Sequence, residues 1–274
     1  AYANAMGSTV FFLMGTFSFT VALDATTEPT RIAARVLAWS GTSTPKMLLG
    51  FMAATAFLSF FMSDVAACGV FISVGKRLLE LNGAEKLRSP MGKAMMIAIP
   101  WASYAGGLAV MTGNGCNVVT VGLFAELFGV QMTFIEWSML GVPFCLAMLL
   151  VAWAVIVGVF RPEAIGQPSI DATRAEAAAL GPLAGPEKAT MGIIAAAMAA
   201  WIASSWVPVL NTTLVALVAL GLLFLPGTSM ITMRQYRSDS PWDILLMMAS
   251  INGIVAAMSA AGSVAWLVNM LLGV

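Results

Sequence analysis

The stretch MLLGFMAATAFLSFFMSDVAACGVFISVG, Met47 to Gly75, runs for 29 residues with a single charge, Asp64. As one helix it would reach ~43 Å, too long for a comfortable crossing of the ~30 Å hydrocarbon layer. It would also carry a carboxylate past its middle, where a charge costs roughly 2.5–3.5 kcal/mol on insertion scales. Basic residues decide between crossing and turning back, because in short loops they collect on the cytoplasmic side. If the stretch crosses, three Lys/Arg oppose ten; if it turns back, all thirteen share one side. The spacing therefore predicts a re-entrant hairpin over 47–75, two half-helices with a tip near Ser59 to Asp64. Non-helical backbone at that depth is tolerated only where protein or a water-filled cavity satisfies it, so such a tip is a candidate site.

Outward from the hairpin the same rule of charge-free runs gives spans at 5–23, 94–125, 137–160, 189–207, 210–233 and 244–274, the fourth and fifth of these turning near Trp206 to Asn211 around Pro208. Residues 24–46 form a cytoplasmic arm, amphipathic over Glu28 to Trp39 and suited to the membrane interface. All of it is one membrane domain, 1–274. Composition agrees: 60% of residues are hydrophobic and 9% charged, against about 25% charged in a soluble domain. Thirteen basic residues balance thirteen acidic ones, which argues against nucleic-acid binding, and no histidine is present for zinc, general-base or triad chemistry. No enzyme is expected, since acid/base catalysis needs partnered groups and Asp64 is the lone acid at membrane depth. Cys68, Cys116 and Cys145 sit in apolar stretches without CxxC spacing and read as small buried hydrophobes. Pro100, Pro143 and Pro208 are expected at kinks or span ends. The chain opens Ala1-Tyr2 without a basic leader, so a fragment is expected rather than a signal peptide.

The run 94–125 is interrupted by Thr112-Gly113-Asn114-Gly115-Cys116-Asn117, whose two glycines and two asparagines favour turn backbone. A broken transmembrane helix is predicted there. A faint echo links Phe11 to Ser18 with Leu245 to Asn252, running in opposite directions under the hairpin topology. That is the sign of an inverted repeat, whose copies enclose a midplane site in secondary transporters. The fold class expected is an all-α integral membrane protein with an inverted-repeat ion-transporter fold, a re-entrant helical hairpin and a broken transmembrane helix.

With these pieces in order the chain resembles the divalent anion/sodium symporter (DASS) family, carriers of dicarboxylates, citrate or sulfate. The resemblance rests on Gly50-Phe51-Met52 through Ser59 to Ser63-Asp64-Val65, where the family has Ser-Asn-Thr. It continues through Tyr104-Ala105-Gly106-Gly107 and the segment Thr112 to Asn117, where the family has a Gly-Thr-Pro-Pro-Asn turn. Phe134 to Trp137, Gly141 to Pro143, Leu180 to Leu183, Glu187-Lys188 and Pro241 to Asp243 complete it. It implies a fragment from the fourth to the ninth of eleven spans, a second half-site elsewhere, a homodimer, an elevator-like movement and a place in the cytoplasmic (plasma) membrane.

Beside the resemblance stands a physical reading of the tip. Ser59 and Ser63 are four apart, which on one half-helix puts both hydroxyls on one side near its C-terminal end. Exposed carbonyls there, with those near Gly113, offer a cage for a hard monovalent cation. Ser59, Ser63, Asp64, Gly113 and Asn114 are thus the candidate sodium residues, sodium being a coupling ion and no cofactor being expected. The resemblance makes Asp64, Val65 and Asn117 the candidate contacts for a small anionic solute. Here the family's Asn and Thr are replaced by Asp64 and Val65; an ionised Asp64 would repel a dianion and favour a cation. It could equally do no more than cap the helix that follows, and Asn117 could be a turn residue. The function expected is sodium-coupled transport of di- or tricarboxylates. The alternatives are a proton-coupled anion permease or a cation/proton antiporter titrating Asp64, and a non-transporting structural membrane protein.

Overall fold

A chain this apolar must pair its own backbone groups, and helices do so within one segment. The computed structural model describes residues 7–85, 88–128, 130, 132–207, 210–225, 231–263, 266 and 270, and among these every regular element is an α-helix. They are α1 (Ser8–Asp24), α2 (Glu28–Ser40), α3 (Thr44–Leu58), α4 (Asp64–Leu81), α5 (Pro90–Ala109), α6 (Gly115–Phe128), α7 (Phe134–Phe160), α8 (Gln167–Ala178), α9 (Gly185–Ala203), α10 (Thr212–Leu223), α11 (Met233–Asp239) and α12 (Trp242–Ala260).

Local chemistry sets the ends. Prolines open α2, α3 and α5, where the missing N–H has no helical partner to lose. The hydroxyls of Ser63, Ser89 and Thr133 accept from amides three residues on and cap α4, α5 and α7. α3 starts before Lys46 and α4 runs on past Lys76 and Arg77, so both outrun the charge-free stretch. A long basic side chain near a helix end can carry its charge outward along its stem. Pro100 and Pro143 lie inside α5 and α7 and end neither helix, so of the two roles expected for them only the kink is left. One expectation changes: of the cysteines only Cys145 is buried, Cys68 being half-buried and Cys116 exposed at the start of α6. The expected turn at Pro208 lies outside the described residues.

By length and apolarity α7 is the one unbroken described helix fit to cross a membrane, 27 residues or ~40 Å. α1 and α2 pass that test together but bend by 62° between them, and α3 and α10 are apolar but shorter.

The helices gather into two bodies. α5 is the hub of one, packed on α3, α4 and α7, with α2 and α8 lying against the two hairpin legs. α1 is the hub of the other, packed chiefly on α10, with α9, α11 and α12 around them. Between helices in lipid, close backbone approach replaces the hydrophobic effect as the source of attraction. Small residues provide it: a Cβ at Gly15 would lie 2.6 Å from that of Ala216, and one at Gly141 would lie 2.5 Å from the Ala109 oxygen. Gly106 is pressed on the Ala56 backbone in the same way. The bodies meet where α1 touches α6, where α7 touches α9, and at the α1–α2 elbow. Phe134 of α7 stacks on the buried Trp201 of α9 at 5.9 Å.

At the end where the basic loops gather, side chains form a clasp. Glu187, at the foot of α9, accepts from Thr27 N at 2.8 Å and Thr27 Oγ1 at 2.9 Å. The Thr27 and Ala184 amides hold its carboxyl below the usual carboxylate range. Glu163 accepts from Met91 N at 2.9 Å and from the Ser89 hydroxyl. Arg77 reaches Glu176 at 2.6 Å.

Candidate functional site

α3 stops at Leu58 and α4 starts at Asp64, while α5 stops at Ala109 and α6 starts at Gly115. The two interruptions face each other. Two helix C-ends, rich in unpaired carbonyls, and two N-ends, rich in unpaired amides, therefore meet in one place. C-ends attract cations and N-ends attract anions.

The bonds across this junction are short-side-chain bonds to backbone. Thr112 Oγ1 donates to Phe60 O at 2.9 Å. Ser59 Oγ donates to Ser103 O at 2.8 Å, and Ser103 Oγ donates to Asp64 O at 2.5 Å. One serine of α5 thus ties the end of α3 to the start of α4. The Asp64 carboxylate lies by its own amide and that of Val65 and accepts from Asn114 Nδ2 at 3.1 Å. Asn114 Oδ1 accepts from Cys116 N at 2.9 Å. Gly113 fits so tightly that a Cβ there would lie 2.7 Å from both Gly107 O and Ser59 O. Ser59 is fully buried, and its carbonyl receives no hydrogen bond among the described residues.

Ser59, Asp64, Gly113 and Asn114 are thus brought together. Ser63 stands apart in role: Ser59 is the C-cap of α3, whereas Ser63 caps α4, its hydroxyl accepting from Ala66 N at 3.2 Å. The expectation that both hydroxyls share one helical face fails because α3 has already ended, so helical spacing no longer applies. For the same reason the N-cap of α4 is Ser63 rather than Asp64, whose side chain is left to reach Asn114. Val65 is 80% exposed, and its side chain enters none of these bonds; only its amide lies by the Asp64 carboxylate. Asn117 is buried and gives both amide hydrogens to carbonyls of the break, Gly107 O at 2.7 Å and Val110 O at 2.9 Å. Its nitrogen has none left for a solute.

Three residues outside the expected set matter. Ser103 shares a helix face with Gly107, four residues on, and that pairing of a hydroxyl with a close-contact glycine was a usable signal. Thr112 was within the interrupted segment. Thr20, four residues before the end of α1, accepts from Ser63 N at 3.0 Å and carries no local sign of it. Among the described residues there is no group of three or more His, Cys, Asp or Glu that could hold a metal ion. What the junction presents is carbonyls, hydroxyls and one carboxylate, oxygen donors of the kind hard cations take.

Residues 3–274 match the profile of a family described as "Sodium:sulfate symporter transmembrane region". Among curated proteins the chain is similar to the "Sodium-dependent dicarboxylate transporter SdcS" of Staphylococcus saprophyticus, 26% identical over 280 residues that make up 94% of this chain and 54% of that protein. It is similar to the protein of the same name from Staphylococcus aureus strain USA300, 26% identical over 283 residues with the same two shares, 94% and 54%. The chain spans about half the length of the curated relatives it matches.

Proposed function

Because the chain belongs to the sodium:sulfate symporter transmembrane family, we propose that it forms part of a sodium-coupled carrier of small anions, with di- or tricarboxylates the first candidates. The observation that carries this reading is the buried Ser59 carbonyl, without a donor among the described residues, pressed on the Gly113 backbone next to the Asp64–Asn114 pair. Buried carbonyls are normally paired, and one left open beside a carboxylate suits sodium. In this reading Ser59, Asp64, Gly113 and Asn114 hold the cation, and Ser63 shapes the turn they share.

The coupling follows from charge. An unoccupied tip presents Asp64 to any approaching anion and repels it. A cation bound there offsets the carboxylate and leaves the N-ends of α4 and α6 as the dominant field, which favours a carboxylate group of the solute. Anion affinity then depends on bound sodium, and by linkage sodium affinity depends on the anion. The Val65 side chain supplies no hydrogen bond, so the solute would rely on backbone amides and on residues beyond this chain's share of the protein.

The two-body packing supports a movement in which the α5-centred body carries the site past the α1-centred one. The likeness to the family extends the proposal to an elevator-like mechanism, an inverted repeat, a homodimer and a place in the plasma membrane. The test is uptake of radiolabelled succinate, citrate and sulfate into proteoliposomes holding the full-length parent, with and without an inward sodium gradient. Uptake that requires sodium is expected. Flux that follows a proton gradient instead, and that Asp64→Asn abolishes, would put a titrating Asp64 in sodium's place.

A further inference from the structure

Among the described residues the hairpin tip has one hydrogen-bond partner in the other body. Ser63 is the N-cap of α4, so its N–H has no helical acceptor of its own. Thr20 Oγ1 accepts it at 3.0 Å from α1, and Thr20 is 9% exposed. Every other tip bond described above stays within α3 to α6. The Glu187–Thr27 bonds also join the bodies, but they sit at the α1–α2 elbow, where the chain itself links them. Thr20 is different because it lies inside α1, four residues before its end, and reaches a residue 43 positions away.

Resting on the function proposed above, we propose that Thr20 is a positioning residue for the ion site, a latch that holds the hairpin tip in register with the α1-centred body while the cation binds. Movement of one body past the other must break this bond, since both partners are fixed to different hubs. The bond therefore counts only in the arrangement seen here and biases the two-position equilibrium toward it. When a site is competent in one arrangement alone, its apparent affinity falls in proportion to the population of that arrangement. The latch thus acts on sodium affinity rather than on the chemistry of the ligands, none of which is Thr20.

Thr20→Val keeps the shape and removes the acceptor; Thr20→Ser restores it. In proteoliposomes of the full-length protein, uptake measured across a sodium series should show Thr20→Val raising the sodium half-saturation three- to tenfold, on the order of one lost hydrogen bond to a backbone amide. Maximal uptake should change far less, Thr20→Ser should return the half-saturation to its original value, and amide exchange of the peptide holding Ser63 should quicken in Thr20→Val alone. An unchanged half-saturation with faster exchange at Ser63 overturns the latch and leaves Thr20 a passive cap. So does a fall in maximal uptake with half-saturation unmoved. Sodium-independent uptake by the unsubstituted protein overturns the parent reading instead, and the two failures are told apart by which protein fails.

Discussion

α7 and the α5–α6 pair both carry a proline inside an apolar helix, yet only one of them breaks, and not at the proline. α7 passes Pro143 and runs unbroken to Phe160; α5 passes Pro100 and stops nine residues later at Ala109. Proline removes one hydrogen bond and crowds one turn, which neighbouring helices can absorb in lipid. What ends α5 is a set of alternative partners. Asn117 takes the Gly107 and Val110 carbonyls, Thr112 takes the Phe60 carbonyl, and Gly113 lets two backbones touch. A helix at this depth breaks where its freed groups are satisfied elsewhere, and the same partners then make the break a site.

The largest expected effect pits glycine against glycine across that comparison. A Cβ at Gly106 would run into the oxygen of Ala56 and lie 2.5 Å from its Cα, backbone that cannot swing aside, whereas Gly158 in α7 has nothing within 4 Å. Gly106→Val should cost about 3 kcal/mol or more through overpacking and abolish uptake, read as lost thermal stability in detergent. Gly158→Ala should be neutral or stabilise by up to about 1 kcal/mol. Equal tolerance at both positions would mean that α3 and α5 are not pressed together as described.

Next comes Asn117→Leu, which takes a donor from Gly107 O and from Val110 O, the second of which keeps the Gly113 amide at 3.1 Å. The cost should be roughly 1–3 kcal/mol, seen as a fall in melting temperature together with impaired uptake. The matched change in α7 is Ser138→Ala, whose hydroxyl bonds Phe134 O within its own helix; the carbonyl keeps its helical partner and little should change. If Asn117→Leu left stability intact and removed only anion uptake, Asn117 would contact the solute.

How much of this could be read in the residues beforehand follows from what each signal depends on. The helical class needed only the scarcity of charge, and the interruption at Gly113 needed only two glycines and two asparagines in six positions. Both are local. The bond from Ser103 to Asp64 spans 39 residues and that from Ser63 to Thr20 spans 43. A hydroxyl in an apolar helix looks the same whether it bonds its own turn, as Thr55 does to Phe51 O, or a distant one. The error over Ser59 and Ser63 had another source: a four-residue spacing speaks of a shared face only while the helix lasts, and α3 ends at Leu58, with Ser59 as its C-cap. For Asn117 both readings stayed open in the sequence, because a buried amide can serve backbone or solute equally well, and only its geometry speaks for one of them.

The clasp at the basic end offers a smaller effect with a defined pH dependence. The Glu187 carboxyl is held below its ordinary value of 4.5, first by the Thr27 and Ala184 amides. A carboxyl whose folded value is depressed contributes stability that is fully present above the unfolded value and is lost as pH falls below it. The protein should therefore lose part of its thermal stability below about pH 4.5, and Glu187→Gln should flatten that part of the profile while costing little of the neutral-pH uptake. A profile unchanged by Glu187→Gln would place the acid sensitivity in another carboxylate of the clasp, Glu163 being the next buried in hydrogen bonds.

The least effect belongs to Arg77 and Glu176, although their 2.6 Å contact is among the shortest in the molecule. Both side chains are about half exposed, 52% and 48%, so water and salt compete for each charge and holding two long side chains together costs entropy. Arg77→Gln should leave melting temperature and uptake within experimental scatter at physiological ionic strength, with any small loss at low salt vanishing as salt is added. Distance alone does not rank a contact; the medium around it does. The longer 3.1 Å bond of Asp64 to Asn114 is therefore expected to outweigh the shorter surface pair, and an Arg77→Gln protein that lost most of its uptake at physiological salt would reverse that order. It would mean that α8 must stay fastened to the second hairpin leg while the bodies move, which would make the outer end of α4, rather than its tip, the part that transmits the motion.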